Sequence, residues 1–359
     1  MLQYSHTIDL GYRKGRGAQI NPKNKFLAGT YSQTEVQGID DWEVNKVETT
    51  VIYEDAKTIV NEVKSPDIPI MYSANPYQGC EHGCVYCYAR NSHEYWGYSA
   101  GLDFESKIVV KRNAPVLLKQ FFENKNWNPT PISLSGNTDC YQPTERKMRL
   151  TRAMLEVCLD FRNPVGIITK NSLILRDLDI LKELAKYNLV TVFCSITSLQ
   201  EPLRRLLEPR TASYASRLNT VQTLAENGIP VGVMNAPIIP GLNDTDMFDV
   251  LNAAKYAGAQ WAGYTIVRLN GAIGEIFKDW LYKNMPDKAE KVWHQICSCH
   301  GGQVNDSEYG RRMKGDGKFA EMIAKQFQIY CKKLNLNHTK LTLNTNDFRR
   351  IRNNQLPLF

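Results

Sequence analysis

The segment at residues 80–87, CEHGCVYC, carries the densest group of chemically active side chains in the sequence. Thiolates at this CxxxCxxC spacing can hold three irons of a [4Fe–4S] cluster, and they leave the fourth iron without a protein ligand. The alternative is a zinc site, which needs a fourth ligand that His82 or His93 would supply. The three thiols belong to Cys80, Cys84 and Cys87. The spacing favours an iron–sulfur centre with one open iron position.

Strands and helices alternate from about residue 70 onward, and these elements must position the cysteines. Predicted strands cover 131–135, 165–170, 190–196, 231–235 and 262–269, and a sixth precedes Cys80. Predicted helices cover 144–161, 173–187, 202–207, 214–227 and 244–257. Such alternation is typical of a parallel α/β fold, either an open sheet or a barrel. In parallel barrels the active site lies at the carboxyl ends of the strands, so the segments after each strand are expected to share one rim.

The rest of the chain divides by composition. Residues 1–65 form a polar N-terminal extension rich in turn formers, and residues 66–275 form the α/β core. Residues 276–336 are expected to be a helical C-terminal appendage, and residues 337–359 a flexible polar tail.

Composition bounds the class of protein. The chain has 359 residues, of which 43% are hydrophobic, as in an ordinary globular enzyme. No apolar run reaches the roughly 18 residues of a membrane span or resembles a signal peptide, so no membrane partner and a cytoplasmic location are expected. Nine cysteines are an odd number with clustered spacing, which fits thiols or cluster ligands better than disulfides.

The net charge of +7 is partly concentrated in three basic groups. A basic surface can bind a polyanion such as nucleic acid, although solvated charged faces explain the same pattern. The groups are Arg13, Lys14, Arg16, Lys23 and Lys25, then Arg311, Arg312, Lys314 and Lys318, and finally Arg349, Arg350 and Arg352.

Short motifs recur along most of the chain. They are KGRG at 14–17, NP at 21–22, GNTD at 136–139, YQP at 141–143, E at 145, TK at 169–170, SIT at 195–197, EPR at 208–210, RL at 217–218, AP at 236–237, GG at 301–302, DS at 306–307, YG at 309–310 and RM at 312–313. With the cysteine segment and its aromatic Tyr86, this set resembles the radical S-adenosylmethionine (SAM) superfamily. The match is to its spore photoproduct lyase-like branch, whose bacterial members are often labelled DNA repair photolyase.

The resemblance implies a partial (β/α)6 barrel in which SAM binds the open iron. An electron from an external donor of the flavodoxin or ferredoxin type would cleave SAM, and the resulting 5′-deoxyadenosyl radical would take hydrogen from a substrate. Lys170 matches a lysine that faces the SAM carboxylate, and Ser195 matches a serine near the SAM ribose. The SAM amino group would meet the segment containing Gly136, Asn137 and Asp139, and Tyr86 is also expected at the cofactor.

The sequence departs from the lyase at one position. The lyase has a cysteine at the end of its second strand that returns hydrogen to the product radical, and the aligned position here is near Gly136. Cys140 follows on the same rim, either as a hydrogen donor or as an inert loop thiol. The departure argues against the lyase's own reaction.

Several further signals leave alternatives open. Arg217 is either an anion clamp or a helix-surface ion pair. Cys297 and Cys299 are either half of a second metal site or a thiol pair. Aromatic residues near the cysteines either stack on a base or shield a cluster from water. They are Tyr77, Tyr86, Tyr88, Tyr95, Trp96 and Tyr98.

The last five residues resemble the QLxLF peptide with which bacterial replication and repair proteins bind the sliding clamp. The alternative is that this segment folds back onto its own domain. The residues are Gln355, Leu356, Pro357, Leu358 and Phe359.

The favoured function is therefore a radical SAM enzyme, of lyase or transferase type, that acts on nucleic acid in repair or modification. The first alternative is radical modification of a protein or small metabolite. The second is a non-enzymatic iron–sulfur redox sensor, which would not need Asp139, Lys170 and Ser195 at the rim.

Overall fold

The computed structural model describes residues 13, 15–27, 48–68 and 70–351. Its strands are β1 (Thr50–Glu54), β2 (Val60–Glu62), β3 (Tyr72–Ala74), β4 (Tyr77–Gln78), β5 (Lys107–Lys111), β6 (Ile132–Leu134), β7 (Val165–Thr169), β8 (Val190–Ser195), β9 (Val231–Ile238) and β10 (Trp261–Ile266). Its α-helices are α1 (Leu102–Ser106), α2 (Ala114–Glu123), α3 (Glu145–Met148), α4 (Leu150–Phe161), α5 (Leu178–Lys186), α6 (Glu201–Leu207), α7 (Tyr214–Glu226), α8 (Met247–Tyr256), α9 (Ile273–Asn284), α10 (Pro286–Ser298) and α11 (Gly317–Lys333). Three 3₁₀ helices cover Tyr88–Trp96, Ser172–Asp177 and Asp244–Asp246.

Seven strands form the main sheet in the order β10-β9-β8-β7-β6-β3-β2. Six of them, from β3 to β10, run parallel, and β2 adds an antiparallel edge beside β3. The strands are rich in Val and Ile, and their buried side chains form one core with the helices that follow them. This arrangement confirms the partial (β/α)6 barrel, with the carboxyl ends of the six strands on one rim.

The helix predicted at 144–161 is interrupted. Arg149 has a φ of 55°, so α3 ends there and α4 begins at the next residue. The Glu145 carboxylate accepts hydrogen bonds from the main-chain N–H groups of Thr151 and Arg152, at 3.1 and 3.4 Å. It therefore caps the free N–H groups that the break creates, a tertiary detail that the hydrophobic pattern does not carry.

The N-terminal extension joins the core instead of preceding it. β1 pairs in parallel with β5, and β5 pairs with β4 to make a separate three-stranded sheet. β2 belongs to the main sheet. The described strands of residues 1–65 thus pair with strands that flank the cysteine segment.

The C-terminal helices also pack closely on the core. Ile273, Phe277 and Trp280 of α9 share a hydrophobic cluster with Val85 and Tyr86 of the cysteine segment. The Trp280 Nε1–H donates to the carbonyl of Leu206, 3.1 Å away. The appendage therefore covers the cysteine segment from outside the barrel, and α9 begins just before the boundary predicted at 276.

Residues 337–350 form a segment that we call the C-terminal strap. It crosses the amino-terminal ends of the barrel strands. Asn337 hydrogen-bonds Gln260 and Ala262 beside β10, and Arg350 reaches the carbonyl of Trp127 before β6, at 2.7 Å. Between them Asn344 hydrogen-bonds Asn188, and Arg349 hydrogen-bonds Phe161. These contacts correct the free tail predicted from residue 337, while residues 352–359 lie outside the described part.

No helix in the described ranges has the length and apolar character that crossing a membrane requires.

Candidate active site

The cysteine segment is held by main-chain hydrogen bonds to two neighbouring segments and by close packing against a third. The N–H of Cys80 donates to Phe104, 2.9 Å away, and the N–H of Val85 donates to Leu207, 3.1 Å away. Gly83 has a φ of +69°, and a Cβ at Gly17 would lie 1.7 Å from the Gly83 oxygen. Both glycines are therefore required, because the N-terminal segment lies directly on the turn. The sequence indicates the turn at Gly83, whereas the contact with Gly17 is tertiary.

A buried ion pair braces the same segment. Arg90 and Glu105 are fully buried and lie 2.5 Å apart. Arg90 Nε also donates to the carbonyl of Cys84, at 2.9 Å, and Glu105 accepts the N–H groups of Gly17 and Ala18, at 3.0 and 2.7 Å. The pair ties the cysteine segment to the N-terminal segment. The sequence reasoning missed it, because 15 residues separate the partners and no local pattern links them.

The three thiols lie close enough to influence one another electrically. Burial raises the pKa of Cys84 and of Cys87, and the other thiols raise it further, while the Lys170 ammonium opposes the shift. Three gathered thiols in a nearly dry loop match the donors that an iron–sulfur cluster needs, because iron would stabilise the thiolate forms.

His82 does not complete a zinc site. Its Nδ1 lies 3.3 Å from Oδ2 of Asp139, and its Nε2 lies 3.2 Å from Nδ2 of Asn171. Burial by itself lowers the pKa of His82, but Cys80 and Asp139 raise it to about 9. Both ring nitrogens are engaged within the protein, by Asp139 and by Asn171. This disfavours the zinc alternative with His82 as the fourth ligand.

Asp139 lies on the rim, as predicted, but its carboxylate is already engaged. Oδ1 accepts the Thr169 hydroxyl at 2.8 Å and the Tyr141 N–H at 2.9 Å. Oδ2 accepts the Lys170 N–H at 2.8 Å and faces His82. Burial opposes ionisation, yet His82 lowers the pKa of Asp139 to about 2. These contacts join the segment after β6 to β7 and to the cysteine segment, while the contact of Asp139 with the SAM amino group stays a prediction.

The segment that contains Gly136 and Asn137 is fixed in the same way. The main-chain N–H of Asn137 donates to Asn75 and its side chain to Gln78, at 3.0 and 2.8 Å. The carbonyl of Gly136 accepts the Tyr88 hydroxyl at 2.6 Å. The rim after β6 is therefore rigid, and the Asn137 side chain is occupied within the protein.

Lys170 and Ser195 differ from these neighbours. They end β7 and β8, which are adjacent strands, and no described residue forms a salt bridge with the Lys170 ammonium or a hydrogen bond with the Ser195 hydroxyl. The ammonium lies 6.0 Å from the centre of the Tyr86 ring. Burial would lower the pKa of Lys170, but the nearby Cys84 thiol and Glu208 carboxylate raise it, so the side chain is charged. The structure places the Lys170 ammonium close enough to Cys84 and Cys87 to affect their pKa values, and it places Ser195 at the end of the adjacent strand.

Behind Tyr86 lies a buried acidic group that the sequence analysis did not single out for a role. The Glu208 carboxylate accepts the Tyr86 and Thr197 hydroxyls and pairs with Arg217. Burial raises the pKa of Glu208, but Arg217 and Lys170 lower it to about 2. Arg217 also donates to the carbonyl of Ser195 at 2.9 Å. Arg217 is thus neither an anion clamp nor a surface ion pair: it is buried and holds Glu208 against the cofactor rim.

Cys140 is not on the rim surface. Its side chain is fully buried in the main hydrophobic core, and burial raises the pKa of its thiol well above the usual range. Its main-chain N–H donates to Ser135 at 3.0 Å, and its carbonyl accepts the Thr151 hydroxyl at 2.6 Å. The candidate hydrogen donor is therefore corrected to a core residue, because the turn at Ser135 and Asp139 directs Cys140 inward.

The remaining candidates divide between core and surface. Cys299 belongs to the core, and His300 beside it donates from Nε2 to the carbonyl of Val267 at 2.8 Å, which favours a thiol pair over a second metal site. Tyr77 and Tyr86 are buried, whereas Tyr88 and Tyr95 are 60% and 75% exposed. Only the latter two present open rings to solvent, among the described tyrosines at the cysteine segment.

The three basic groups are mostly structural where they are described. Arg311 pairs with Asp306, and Arg312 pairs with Asp67 at 2.5 Å. Arg349 and Arg350 donate to main-chain carbonyls within the strap contacts, and Arg16 donates to the carbonyl of Glu105. Several arginines of these groups are thus engaged in contacts within the protein.

The sequence model of the radical SAM superfamily matches residues 74–254, half of the chain. An uncharacterized protein of Methanocaldococcus jannaschii is 32% identical over 66% of this chain and 84% of its own length. An uncharacterized protein of Mycobacterium tuberculosis is 31% identical over 64% of this chain and 69% of its own length. The family match includes the cysteine segment and strands β6 to β9.

Solved structures of spore photoproduct lyase share the fold. The lyase complexed with dinucleoside spore photoproduct aligns with a TM-score of 0.61 and 16% identity, covering 85% of this chain and 86% of that one. A variant of the lyase with bound SAM and the same dinucleoside aligns with a TM-score of 0.60 and 16% identity, at the same coverage.

The fold and the matched sequence define an iron–sulfur enzyme of the radical type. The chain belongs to the radical SAM superfamily and resembles its spore photoproduct lyase-like branch. Its cofactors are a [4Fe–4S] cluster and SAM, and it needs an external electron donor, as radical SAM enzymes do.

Proposed function

We propose that this radical SAM enzyme acts on nucleic acid or on a modified nucleotide, in repair or modification. The observation that carries the proposal is the Tyr88 ring, which follows the third cysteine directly and is 60% exposed. Its hydroxyl is bound to the rim carbonyl of Gly136 at 2.6 Å, so the ring is held open at the mouth of the site. A fixed, exposed aromatic face is what a stacked base requires.

The fold similarity adds support of a different kind. The lyase that shares this fold across 85% of the chain has been solved with a dinucleoside spore photoproduct. At 16% identity the likeness concerns the fold alone, so the class of substrate is carried over as part of the proposal.

We further propose that Cys80, Cys84 and Cys87 hold the cluster. When bound, the cluster and SAM supply a carbon-centred radical that abstracts hydrogen. Lys170 binds the SAM carboxylate with its free ammonium, and Ser195 donates or accepts a hydrogen bond at the ribose. Glu208 fixes the orientation of Tyr86 at the cofactor, and α9 with its hydrophobic cluster keeps water from the cysteine segment.

Isotope transfer tests the substrate class. Reconstituted, reduced protein is incubated with SAM and with perdeuterated single-stranded DNA, RNA or a cytosolic metabolite extract, and deuterium in 5′-deoxyadenosine is measured by mass spectrometry. Transfer from a nucleic acid, reduced in Tyr88→Ala but kept in the matched control Tyr256→Ala, supports the proposal. Tyr256 is 85% exposed at the end of α8 and takes no part in the rim.

The same experiment distinguishes the alternatives. Deuterium transfer from the metabolite extract or from an added protein, with none from nucleic acid, favours the modification of those substrates. SAM turnover that stays below one equivalent under all conditions, with reversible cluster oxidation, favours a redox sensor.

Two further parts of the proposal concern partners and location. Residues 355–359 are proposed to bind the bacterial sliding clamp, and they lie outside the described residues. Because the strap is anchored as far as Arg350, the clamp peptide is separated from the barrel by only the few residues after it. A cytoplasmic location is proposed from the free thiols of all nine cysteines.

A further inference from the structure

Arg268 is a charged side chain without a charged partner at the rim of the barrel. It follows β10, and its Nη1 and Nη2 make only long contacts, 3.5 Å to the Met313 sulfur and 3.4 Å to Oδ1 of Asn305. Its Nε is buried and has no hydrogen-bond partner within the described part of the chain. Two residues on, Oδ1 of Asn270 is also buried without a partner. A buried donor of this kind is destabilising unless a ligand satisfies it.

The charges around Arg268 are unbalanced. Arg312 lies nearby, but Asp67 is committed to Arg312 at 2.5 Å, and Asp306 is committed to Arg311. No carboxylate in the described ranges is within salt-bridge distance of Arg268. Burial lowers the pKa of Arg268 and the charge of Arg312 lowers it further, while the charges of Asp67 and Asp306 oppose that shift. Arg268 therefore shares carboxylates that are paired with other arginines and has no salt-bridge partner of its own among the described residues.

Arg268 lies away from Lys170, the residue proposed to bind the SAM carboxylate. The free ammonium of Lys170 ends β7, and β10 is three strands away in the sheet. At about 4.8 Å per strand the two strands are separated by roughly 14 Å. Both residues nevertheless share the carboxyl rim, and the carbonyl of Asn270 accepts a hydrogen bond from Asn91 in the 3₁₀ helix after the cysteines, at 2.8 Å. Arg268 therefore lies on the same rim as Lys170 but three strands away from it.

We propose that Arg268 binds a phosphate group of the substrate at the carboxyl end of β10. The guanidinium offers Nε and Nη donors to two phosphate oxygens, which is the geometry in which arginine recognises phosphate. Asn270 accepts a hydrogen bond from a hydroxyl or amino group of the same ligand. The inference rests on the proposed nucleic-acid function for the identity of the ligand, and on the unpaired guanidinium for the site itself.

Equilibrium binding tests the site in the full-length protein loaded with cluster and SAM. The probe is fluorescently labelled (dT)8, measured by anisotropy as a function of salt. Arg268→Gln is expected to weaken binding at least tenfold and to reduce the slope of log K against log salt by about 0.7, as the loss of one phosphate contact to a single strand requires. Arg268→Lys keeps the charge and should restore part of the affinity.

Arg162→Gln is the matched control. Arg162 lies at the opposite end of the barrel, where its guanidinium covers the Tyr187 ring at 4.2 Å, and its replacement should leave the affinity for (dT)8 unchanged. Iron content and circular dichroism identify any variant that fails to fold. Equal affinity and equal salt slope for Arg268→Gln and the wild type overturn the phosphate site.

A second probe separates this inference from the proposed function. If the wild type fails to bind (dT)8, the nucleic-acid proposal fails, and inorganic phosphate is titrated instead and followed by ³¹P line broadening. Broadening that is lost in Arg268→Gln and kept in Arg162→Gln supports the site for another phosphorylated substrate. Broadening that is the same in both variants, or absent from the wild type, overturns the site.

Discussion

The main-chain N–H of Lys170 donates a hydrogen bond to Oδ2 of Asp139, 2.8 Å away, while the ammonium of the same lysine forms no salt bridge with any described residue. The acidic side chain thus fixes the backbone at the end of β7 and leaves the cationic end of Lys170 free. His82 shares Oδ2 of Asp139, which links the free lysine to the cysteine segment through one carboxylate. This is how the fold holds a positive charge beside the thiols without neutralising it.

Lys170→Ala should weaken SAM binding. A charge-assisted hydrogen bond contributes about 1.5–3 kcal/mol, so the dissociation constant should rise by about ten- to 150-fold. Calorimetric titration of SAM into the cluster-loaded protein measures the change. Lys182→Ala, on the exposed face of α5, is the control and should bind like the wild type. Unchanged affinity in Lys170→Ala would remove Lys170 from the cofactor site.

Replacing Cys80, Cys84 and Cys87 together with alanine should abolish the cluster. The reconstituted variant should lose its brown colour and its bound iron, as measured by absorption near 400 nm and by iron analysis. Cys297→Ser is the control, because Cys297 is half-buried in α10 and should leave about four irons per chain. Four irons retained in the triple variant would contradict the assignment.

Glu208→Gln should destabilise the protein strongly. The change leaves the buried Arg217 guanidinium without its counter-charge, and breaking a buried pair in this way costs about 3–5 kcal/mol in free energy of unfolding. Glu201→Gln removes a more exposed carboxylate that pairs with Arg204 and Arg205, and should cost about 1 kcal/mol or less. Anaerobic urea titration compares the two variants. Equal losses of unfolding free energy in the two variants would show that the buried ion pair contributes no more to stability than the exposed one.

Cys140→Ala should leave the radical chemistry unchanged. The Cys140 side chain is enclosed by the core, so its loss should lower the free energy of unfolding by about 1 kcal/mol. The rate of reductive SAM cleavage should stay the same. Direct reversal of a dinucleotide spore photoproduct should be absent or very weak in both proteins, because no thiol is placed at the end of β6. Product analysis by liquid chromatography tests this. Efficient repair by the wild type that disappears in Cys140→Ala would show that Cys140 acts as the hydrogen donor.

Deleting residues 355–359 should remove binding to the bacterial sliding clamp and leave SAM cleavage intact. Burying one leucine and one phenylalanine contributes about 3–6 kcal/mol before ordering costs, so the other contacts of the peptide must supply the rest of the roughly 8 kcal/mol that the expected micromolar affinity requires. Pro357 restricts the peptide and lowers the ordering cost. Calorimetry with purified clamp measures the interaction. A full-length protein that shows no clamp binding would end this part of the proposal.

The sequence predicted those features that are repeated or local. Six hydrophobic strands, each followed by helical periodicity, were enough for the barrel, and the cysteine spacing was enough for the cofactor class. The contacts of the Asp139 carboxylate could not be predicted from the sequence, because its four partners come from β7 and the residue after it, the cysteine segment and its own turn. The same limit applies to Cys140: its place on a rim segment was predictable, but the inward direction depends on the Ser135 turn, where φ is 78°.

Ion pairs between residues distant in the sequence could not be predicted for the same physical reason. Arg90 with Glu105 and Glu208 with Arg217 are 15 and nine residues apart, and nothing in helical or strand periodicity marks such partners. The polar composition of residues 337–350 predicts a flexible tail, whereas the structure shows the C-terminal strap. Its attachment uses main-chain carbonyls at strand and helix ends, and no sequence pattern distinguishes a carbonyl that is available from one that is already bonded.

The C-terminal strap gives the protein an order of assembly. Asn337 meets Ala262 across a separation of 75 residues, and Arg350 meets Trp127 across 223. A nascent chain that has emerged from the ribosome only as far as α11 therefore contains every strand of the barrel while its amino-terminal face stays uncovered. The strap can therefore cover the amino-terminal ends of the strands only after the segment beyond α11 has left the ribosome, and its contacts are non-local ones.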